Sequence, residues 1–229
     1  MAAACASSRR RLARRSDAPD PFSASEPCRH EEQAVSRFLI AHSTTDGHTP
    51  LICERLRRGI EAAGQHAVVR PICETDAADL AAADVVVVGA SIRYGKHKPE
   101  VGAFIARHRA ALEARPNAFF SVNVVARKPG KDVPEGNPYL RKFLKTIAWK
   151  PQRLAVFAGR IDYPRYGWGD RTMIRLIMWM TRGPTDPTRS YEFTDWNRVD
   201  AFAAELAGLG AARAARAAPP VKAGPPMAA

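Results

Sequence analysis

The chain has 229 residues, 46% of them apolar, and a formal net charge of +12. That length supports one sizeable core with tails rather than two domains, and the charge calls for an anionic partner: nucleic acid, a lipid surface or an acidic small molecule. Four cysteines without a CxxC and six histidines without a ligand-type pair exclude a disulfide framework and a zinc site, and fit reduced thiols in a cytoplasmic setting.

Residues 1–35 open with MAAACASSRRRLARR and continue through the turn-rich DAPDPFSASEP. An export signal needs an apolar run after the arginines, and none follows. The composition suits a disordered extension, an organelle transit peptide or a start codon placed too early. Residues 211–229, rich in Ala and Pro, are likewise expected to stay disordered. The folded domain is therefore expected over 36–210.

Within it, Arg37–Ala41 has the length and apolarity of a buried strand, and Leu51, Ile52, Arg55, Leu56 and Ile60 recur at helical spacing. Between them lies HSTTDGHT, residues 42–49. Such a strand-to-helix junction presents unpartnered N–H groups and the positive end of the helix dipole to an anion. Ser43, Thr44, Thr45 and Thr49 add hydroxyls, and Gly47 lets the backbone turn in closely. The loop has no lysine and no GxxxxGK[ST] pattern, which argues against a nucleoside triphosphate and for a singly substituted phosphate. A plainer reading is that Thr49 caps the helix, with Pro50 at its first position.

Further on, His66–Arg70 reads as a second strand and Asp76–Ala83 as a short helix. Asp84–Ala90 is an unbroken β-branched run that must be covered on both faces. Helices are expected over Pro99–Arg115, Pro138–Ile147 and Asp195–Leu209, and strands over Ala118–Val125 and Leu154–Ala158. Five strands alternating with helices give a doubly wound α/β fold, a five-stranded parallel sheet in the order 2-1-3-4-5. Ligands of such sheets sit beyond the carboxyl ends of the strands. There HSTTDGHT meets the loop after the third strand, Ser91 to Lys98, and the loop after the fourth, Val125 to Pro129. Together they suit a mononucleotide with a flat ring.

The basic residues concentrate in one half. Residues 91–182 hold 19 Lys+Arg against 6 Asp+Glu, while everything else holds 16 against 17. Part of that excess is an insertion, residues 161–190, between the fifth strand and the last helix. Arg171, Arg175 and Arg182, at i, i+4 and i+11, fall on one narrow helical stripe, and the rest of that segment is Met, Ile, Leu and Trp. It is shorter than the ~20 apolar residues a bilayer crossing needs. It suits an interfacial helix with arginines toward headgroups and Trp179 at the boundary, helped by Tyr163, Tyr166 and Trp168. Packing of Ile174, Ile177 and Met178 on the protein's own sheet, or a dimer contact, are the alternatives.

The motifs GASIRYG (89–95), SVNVVARKP (121–129), YLRKFL (139–144) and YPRYGWGDRTMIRLIMWM (163–180) give the chain a specific likeness. Over roughly residues 37–209 it resembles the flavodoxin-like proteins and, more narrowly, the bacterial menaquinone-dependent protoporphyrinogen IX dehydrogenase family. The resemblance implies FMN as cofactor, with Thr44, Thr45, Asp46, Gly47 and His48 as its phosphate loop, bordered by Ser43 and Thr49. Thr45 departs from relatives that carry a basic residue there. The resemblance also implies that Phe119, Phe120, Ser121, Val122, Asn123, Val124 and Val125 lie along the flavin ring, joined by Ser91, Arg93, Tyr94 and Gly95. The implied reaction removes six electrons from protoporphyrinogen IX, in haem biosynthesis, with a membrane quinone, menaquinone or ubiquinone, as acceptor. No catalytic triad or paired carboxylate is required, because the cofactor carries the redox step.

Beside such a flavin, Arg93, Lys96, Lys98, Arg127 and Lys128 are candidates to clamp the substrate's two propionates. Taken singly, each reads as a solvated loop charge; as a group they favour substrate attraction. The insertion, with Arg171, Arg175, Trp179 and Arg182, becomes the candidate contact with quinone and with an anionic membrane, at the cytoplasmic face of the inner membrane as a peripheral protein. Competing expectations are a flavodoxin-like NAD(P)H:quinone oxidoreductase and a nonenzymatic electron carrier. Nucleic acid is not expected as a partner, because no reading motif accompanies the charge.

Overall fold

The computed structural model describes residues 35–217, so expectations for residues 1–34 and 218–229 fall outside it. Five parallel strands form the sheet: β1 (Arg37–Ser43), β2 (His66–Pro71), β3 (Val85–Arg93), β5 (Asn117–Val122) and β6 (Arg153–Phe157). Their order, β2-β1-β3-β5-β6, is the expected 2-1-3-4-5 order of the five long strands. The two-residue β4 (Lys96–His97) adds an antiparallel hairpin to the end of β3. Tyr94 and Gly95 turn that hairpin with positive φ at both positions, the arrangement a two-residue turn uses to match strand twist.

Alternation along each strand feeds two apolar layers. Phe38, Ile40, Val85, Val87, Phe120 and Phe157 pack with helices α1 (Thr49–Ala62) and α6 (Trp196–Ala217). Leu39, Val86, Val88, Phe119 and Val156 pack on the opposite face, together with buried residues of α2 (Ala77–Ala82), α3 (Pro99–Glu113) and α4 (Pro138–Leu144). This is why Asp84–Ala90 reads as a continuous apolar run: both of its faces are covered.

Several boundaries differ from expectation. The fourth parallel strand ends at Val122, because Asn123 turns the chain into a 3₁₀ segment (Val124–Arg127) and accepts the Ala126 N–H through its side chain. The last helix runs on to Ala217, past the expected start of the disordered tail at 211, since alanine is the strongest helix former.

The insertion is held by a two-stranded antiparallel pair, β7 (Arg160–Asp162) and β8 (Ser190–Glu192), which brackets helix α5 (Trp168–Met180). Tyr163, Tyr166, Ile161 and Met178 form a small core of their own, so the two tyrosines are buried rather than available to an interface. Arg182 does not extend the arginine stripe. The helix closes after Thr181, with the Gly183 N–H donating to Met178 O at 2.7 Å and the Arg182 N–H to Trp179 O at 3.2 Å. That is a Schellman closure, with Arg182 at the left-handed position (φ 55°).

Gly89, in the centre of the sheet, admits no side chain: a Cβ there would lie 2.1 Å from the Phe120 ring. Gly89→Ala is expected to destabilise the fold by about 1–3 kcal/mol through overpacking, and Phe120→Leu combined with it to recover part of that loss. Urea midpoints of the two variants check this; an unchanged midpoint for Gly89→Ala would refute the close approach.

Candidate functional site

At the carboxyl end of β1 the loop before α1 is held by its own hydroxyls and by the neighbouring β3 loop. The Gly47 N–H donates to Thr44 Oγ1 at 3.0 Å, and the Thr45 N–H to Ser91 Oγ at 3.0 Å. Ser43 is turned away, donating to Glu100 Oε1 at 2.6 Å. Helix α1 starts at Thr49 with His48 as N-cap residue, and no side chain caps it. Thr49 is thus the first helical residue rather than the cap. Its hydroxyl is fully buried and, like His48 Nδ1 and Asn123 Nδ2, has no hydrogen-bond partner among the described residues. Thr44, Asp46, His48, Thr49, Ser91 and Asn123 line one narrow polar slot at this helix end, with Arg160 at its wall.

His48 has a defined tautomer. The Thr194 hydroxyl donates to Ala158 O at 2.9 Å, so its oxygen accepts from His48 Nε2–H at 2.6 Å, leaving Nδ1 as the unprotonated nitrogen. Burial holds the His48 imidazole below its ordinary pKa, against the pull of Glu192.

The slot adjoins a larger cavity of about 450 Å³. Asp46, Ile92, Asn123, Val124 and Arg160 border both. Arg93, Tyr94, Gly95, Val125, Arg127 and Tyr139 form one side of the large cavity, while Ile161, Tyr166, Ile174, Ile177, Met178 and Thr181 bring the insertion over the other. Helix α5 therefore turns Ile174, Ile177 and Met178 toward a cavity and a local core rather than onto the main sheet.

Arg93 joins the two sides. It donates to Asp46 Oδ1 at 2.6 Å and to Asp170 Oδ2 at 2.5 Å, and its guanidinium lies 5.4 Å from the ring centroids of both Tyr94 and Tyr166. The Tyr94 hydroxyl also donates to Asp170. Burial raises the Asp46 carboxyl above its ordinary pKa, and Arg93 opposes that rise.

The proposed clamp is divided by the structure. Arg93 and Arg127 line the large cavity, whereas Lys96 and Lys98 line a neighbouring pocket of about 310 Å³ with Lys142 and Phe143; Lys128 borders neither. Beside that second pocket, burial depresses the His97 imidazole to about 4, with its ring 4.4 Å from Phe143 and its Nε2 3.1 Å from Ser121 Oγ. Phe119, Phe120 and Ser121 are wholly buried within the sheet, so of the 119–125 stretch only Val122 to Val125 border the slot or the cavity.

The arginines of the insertion are tied to its own flanking loops: Arg171, half-buried, donates to Tyr166 O at 3.1 Å, and Arg175, still exposed, to Thr185 O at 3.1 Å. Beside them a broad apolar face is exposed as well: Trp168 (86% exposed), Trp179 (71%), Met180, Met173 and Leu176. Asp170, Thr194 and Arg160 went unsuspected in the sequence. Only Arg160 left a signal, since it lies three residues beyond the carboxyl end of the fifth parallel strand.

A hydroxyl-rich loop at the first strand's carboxyl end, on a sheet of this order, defines a flavodoxin-like α/β protein, and residues 39–188 match the flavodoxin domain family. The chain is 44% identical over 173 residues to the protoporphyrinogen IX dehydrogenase [quinone] of Escherichia coli (strain K12), covering 76% of this chain and 96% of that one. It is 41% identical over 174 residues to the Leishmania major protein of the same name, covering 76% and 75%. The chain belongs to this family of quinone-linked protoporphyrinogen IX dehydrogenases, which are oxidoreductases.

Gly47 holds φ at 75°, and a Cβ there would meet no protein atom within 4 Å, so the backbone conformation, not space within the protein, requires glycine. Gly47→Val is expected to cost about 1–2 kcal/mol of stability, and Gly47→Asn clearly less, because asparagine tolerates the left-handed region. Equal urea midpoints for the two variants would remove the argument.

Proposed function

We propose that the protein binds FMN and oxidises protoporphyrinogen IX to protoporphyrin IX, passing the electrons to a membrane quinone in haem biosynthesis. The observation that carries this reading is a polar slot with buried, unpartnered donors opening into an apolar-walled cavity. The donor set fits a phosphate monoester: the Thr49 hydroxyl and Asn123 Nδ2 are sequestered without partners among the described residues, an arrangement whose cost a ligand can offset. Asp46, the one carboxylate of the loop, has its charge balanced by Arg93, which limits repulsion of the phosphate.

FMN, when bound, would supply two-electron redox chemistry. Thr44, Thr45, Gly47 and Thr49, with the backbone at His48, would hold its phosphate, and Val122 to Val125 with Ser91 and Tyr94 would border its ring. Removing six electrons and six protons from the porphyrinogen balances the reduction of three quinones to three quinols. The protein's part is orientation: Arg127 offers a cation on one wall, and Ile174, Ile177 and Met178 exclude water from the other.

The exposed apolar face of α5 supports a peripheral position at an anionic membrane, the cytoplasmic face of the bacterial inner membrane. Met, Leu and Trp would enter the interface, while the surplus of basic residues over 91–182 attracts the lipid. No described helix is long and apolar enough to cross a membrane.

Anaerobic reconstitution with FMN, followed by protoporphyrinogen IX and a menaquinone analogue, should give quinone-dependent porphyrin fluorescence. Flavin reduction by NADPH, with none by the porphyrinogen, would replace this reading with a quinone reductase. Separately, Trp168→Ser with Trp179→Ser should lower co-sedimentation with vesicles of anionic phospholipid about 10-fold or more, the loss expected from two aromatic anchors. Unchanged binding would place the membrane contact elsewhere.

A further inference from the structure

Three arginines line the large cavity, and they differ in what already neutralises them. Arg93 carries two carboxylates, Asp46 at 2.6 Å and Asp170 at 2.5 Å. Arg160 is paired with Asp162 at 3.4 Å. Arg127 has no carboxylate within 4.0 Å among the described residues. Its guanidinium donates only to neutral oxygens, Val124 O at 3.3 Å, Thr181 O at 3.1 Å and Thr181 Oγ1 at 3.0 Å, and it lies 5.8 Å from the Phe193 ring centroid. A half-buried guanidinium without a counter-ion is costly unless a ligand brings one.

We infer that Arg127 is the specificity-determining anchor of the cavity, holding the carboxylate edge of a flat macrocycle whose other edge lies on the apolar wall. This deepens the proposed function and rests on it for the identity of the macrocycle. The remaining walls fix the polarity of the ligand. Ile161, Ile174, Ile177 and Met178 offer a carboxylate no donor, and Asp46, with Asp170 behind Arg93, would repel one at the Arg93 corner. Burial also pulls the Arg127 guanidinium below its ordinary pKa, as expected of a cation lacking its partner. The cavity thus accepts a tetrapyrrole with carboxylates on one edge and rejects one with carboxylates on all four rings, because the latter must press a charge onto the isoleucine wall.

Arg127 also grips the end of α5 through Thr181, so its variants are read by a ratio rather than by a single affinity. The FMN-loaded protein is titrated, by porphyrin fluorescence, with protoporphyrin IX, its dimethyl ester and a tetracarboxylate porphyrin. The wild type should bind the diacid about 10- to 100-fold more tightly than the diester, the range of one charge-assisted pair, and more tightly than the tetracarboxylate. In Arg127→Met that acid-to-ester ratio should fall to about 1, and Arg127→Lys should restore part of it. A ratio that survives in Arg127→Met overturns the anchor and moves the carboxylate contact to the Lys96, Lys98 and Lys142 pocket. Turnover of the porphyrinogen with an unchanged ratio would leave the proposed function standing without this anchor. A ratio that collapses in a protein without turnover would keep the anchor and remove the reaction. Equal binding of diacid and tetracarboxylate by the wild type refutes the one-edge rule.

Discussion

The guanidinium of Arg93 ties together three pieces of chain that the sheet alone would leave independent. Asp46 belongs to the loop after β1, Arg93 to the end of β3, and Asp170 to the first turn of α5, 77 residues further on. A planar fork with several donors can hold two carboxylates at once, which an ammonium does less well. An ion pair of this kind adds little net stability, since desolvation offsets much of its attraction. What it fixes is placement: removing Arg93 leaves two carboxylates facing each other without a cation. The insertion is thereby registered against the loop that makes the polar slot, and the large cavity exists between them.

Helix α5 then divides its surface three ways. Ile174, Ile177 and Met178 look inward, Arg171 and Arg175 are spent on the carbonyls of Tyr166 and Thr185, and Trp168, Met173, Leu176, Trp179 and Met180 stand in solvent. A helix apolar on two opposite faces is not explained by core packing, which needs only one stripe. The inward face lines the cavity, and on the proposed reading the outward face meets a membrane interface.

Much of the fold was legible because it follows from local periodicity. The β-branched run of β3, the strand-helix alternation and the loop before α1 led to the observed strand order without tertiary information. The site was legible only in outline. Phe119 and Phe120 belong to a matching stretch, but a central parallel strand buries both of its faces, so neither ring reaches the cavity. The arginine stripe was legible only in part: helical geometry fixes which side chains share a face, not which loop groups they bind. Arg171 and Arg175 donate to carbonyls of flanking loops, with Arg175 still exposed, and the Schellman closure took Arg182 out of the helix. Pairing was equally invisible. Arg93 and Arg127 look alike in sequence, yet one arrives with two counter-ions and the other with none.

That contrast ties the electrostatics of the cavity to the position of the insertion. Because Arg93 is neutralised by its neighbours, the attraction for an anionic ligand falls to Arg127, which in turn holds Thr181 at the far end of α5. Asp170 at the start of the helix and Thr181 just after its end are thus fixed by Arg93 and Arg127. The inward and outward faces of α5 are separated by no more than a helix diameter, roughly 10 Å. On the proposed reading, a porphyrinogen and a quinone partitioned at the membrane surface would need to pass only one helix to reach the flavin-side cavity. Steering of the substrate by the basic half and anchoring by a single arginine would then act in sequence, the first at long range and sensitive to salt, the second at contact and sensitive to which edge of the macrocycle bears the charge.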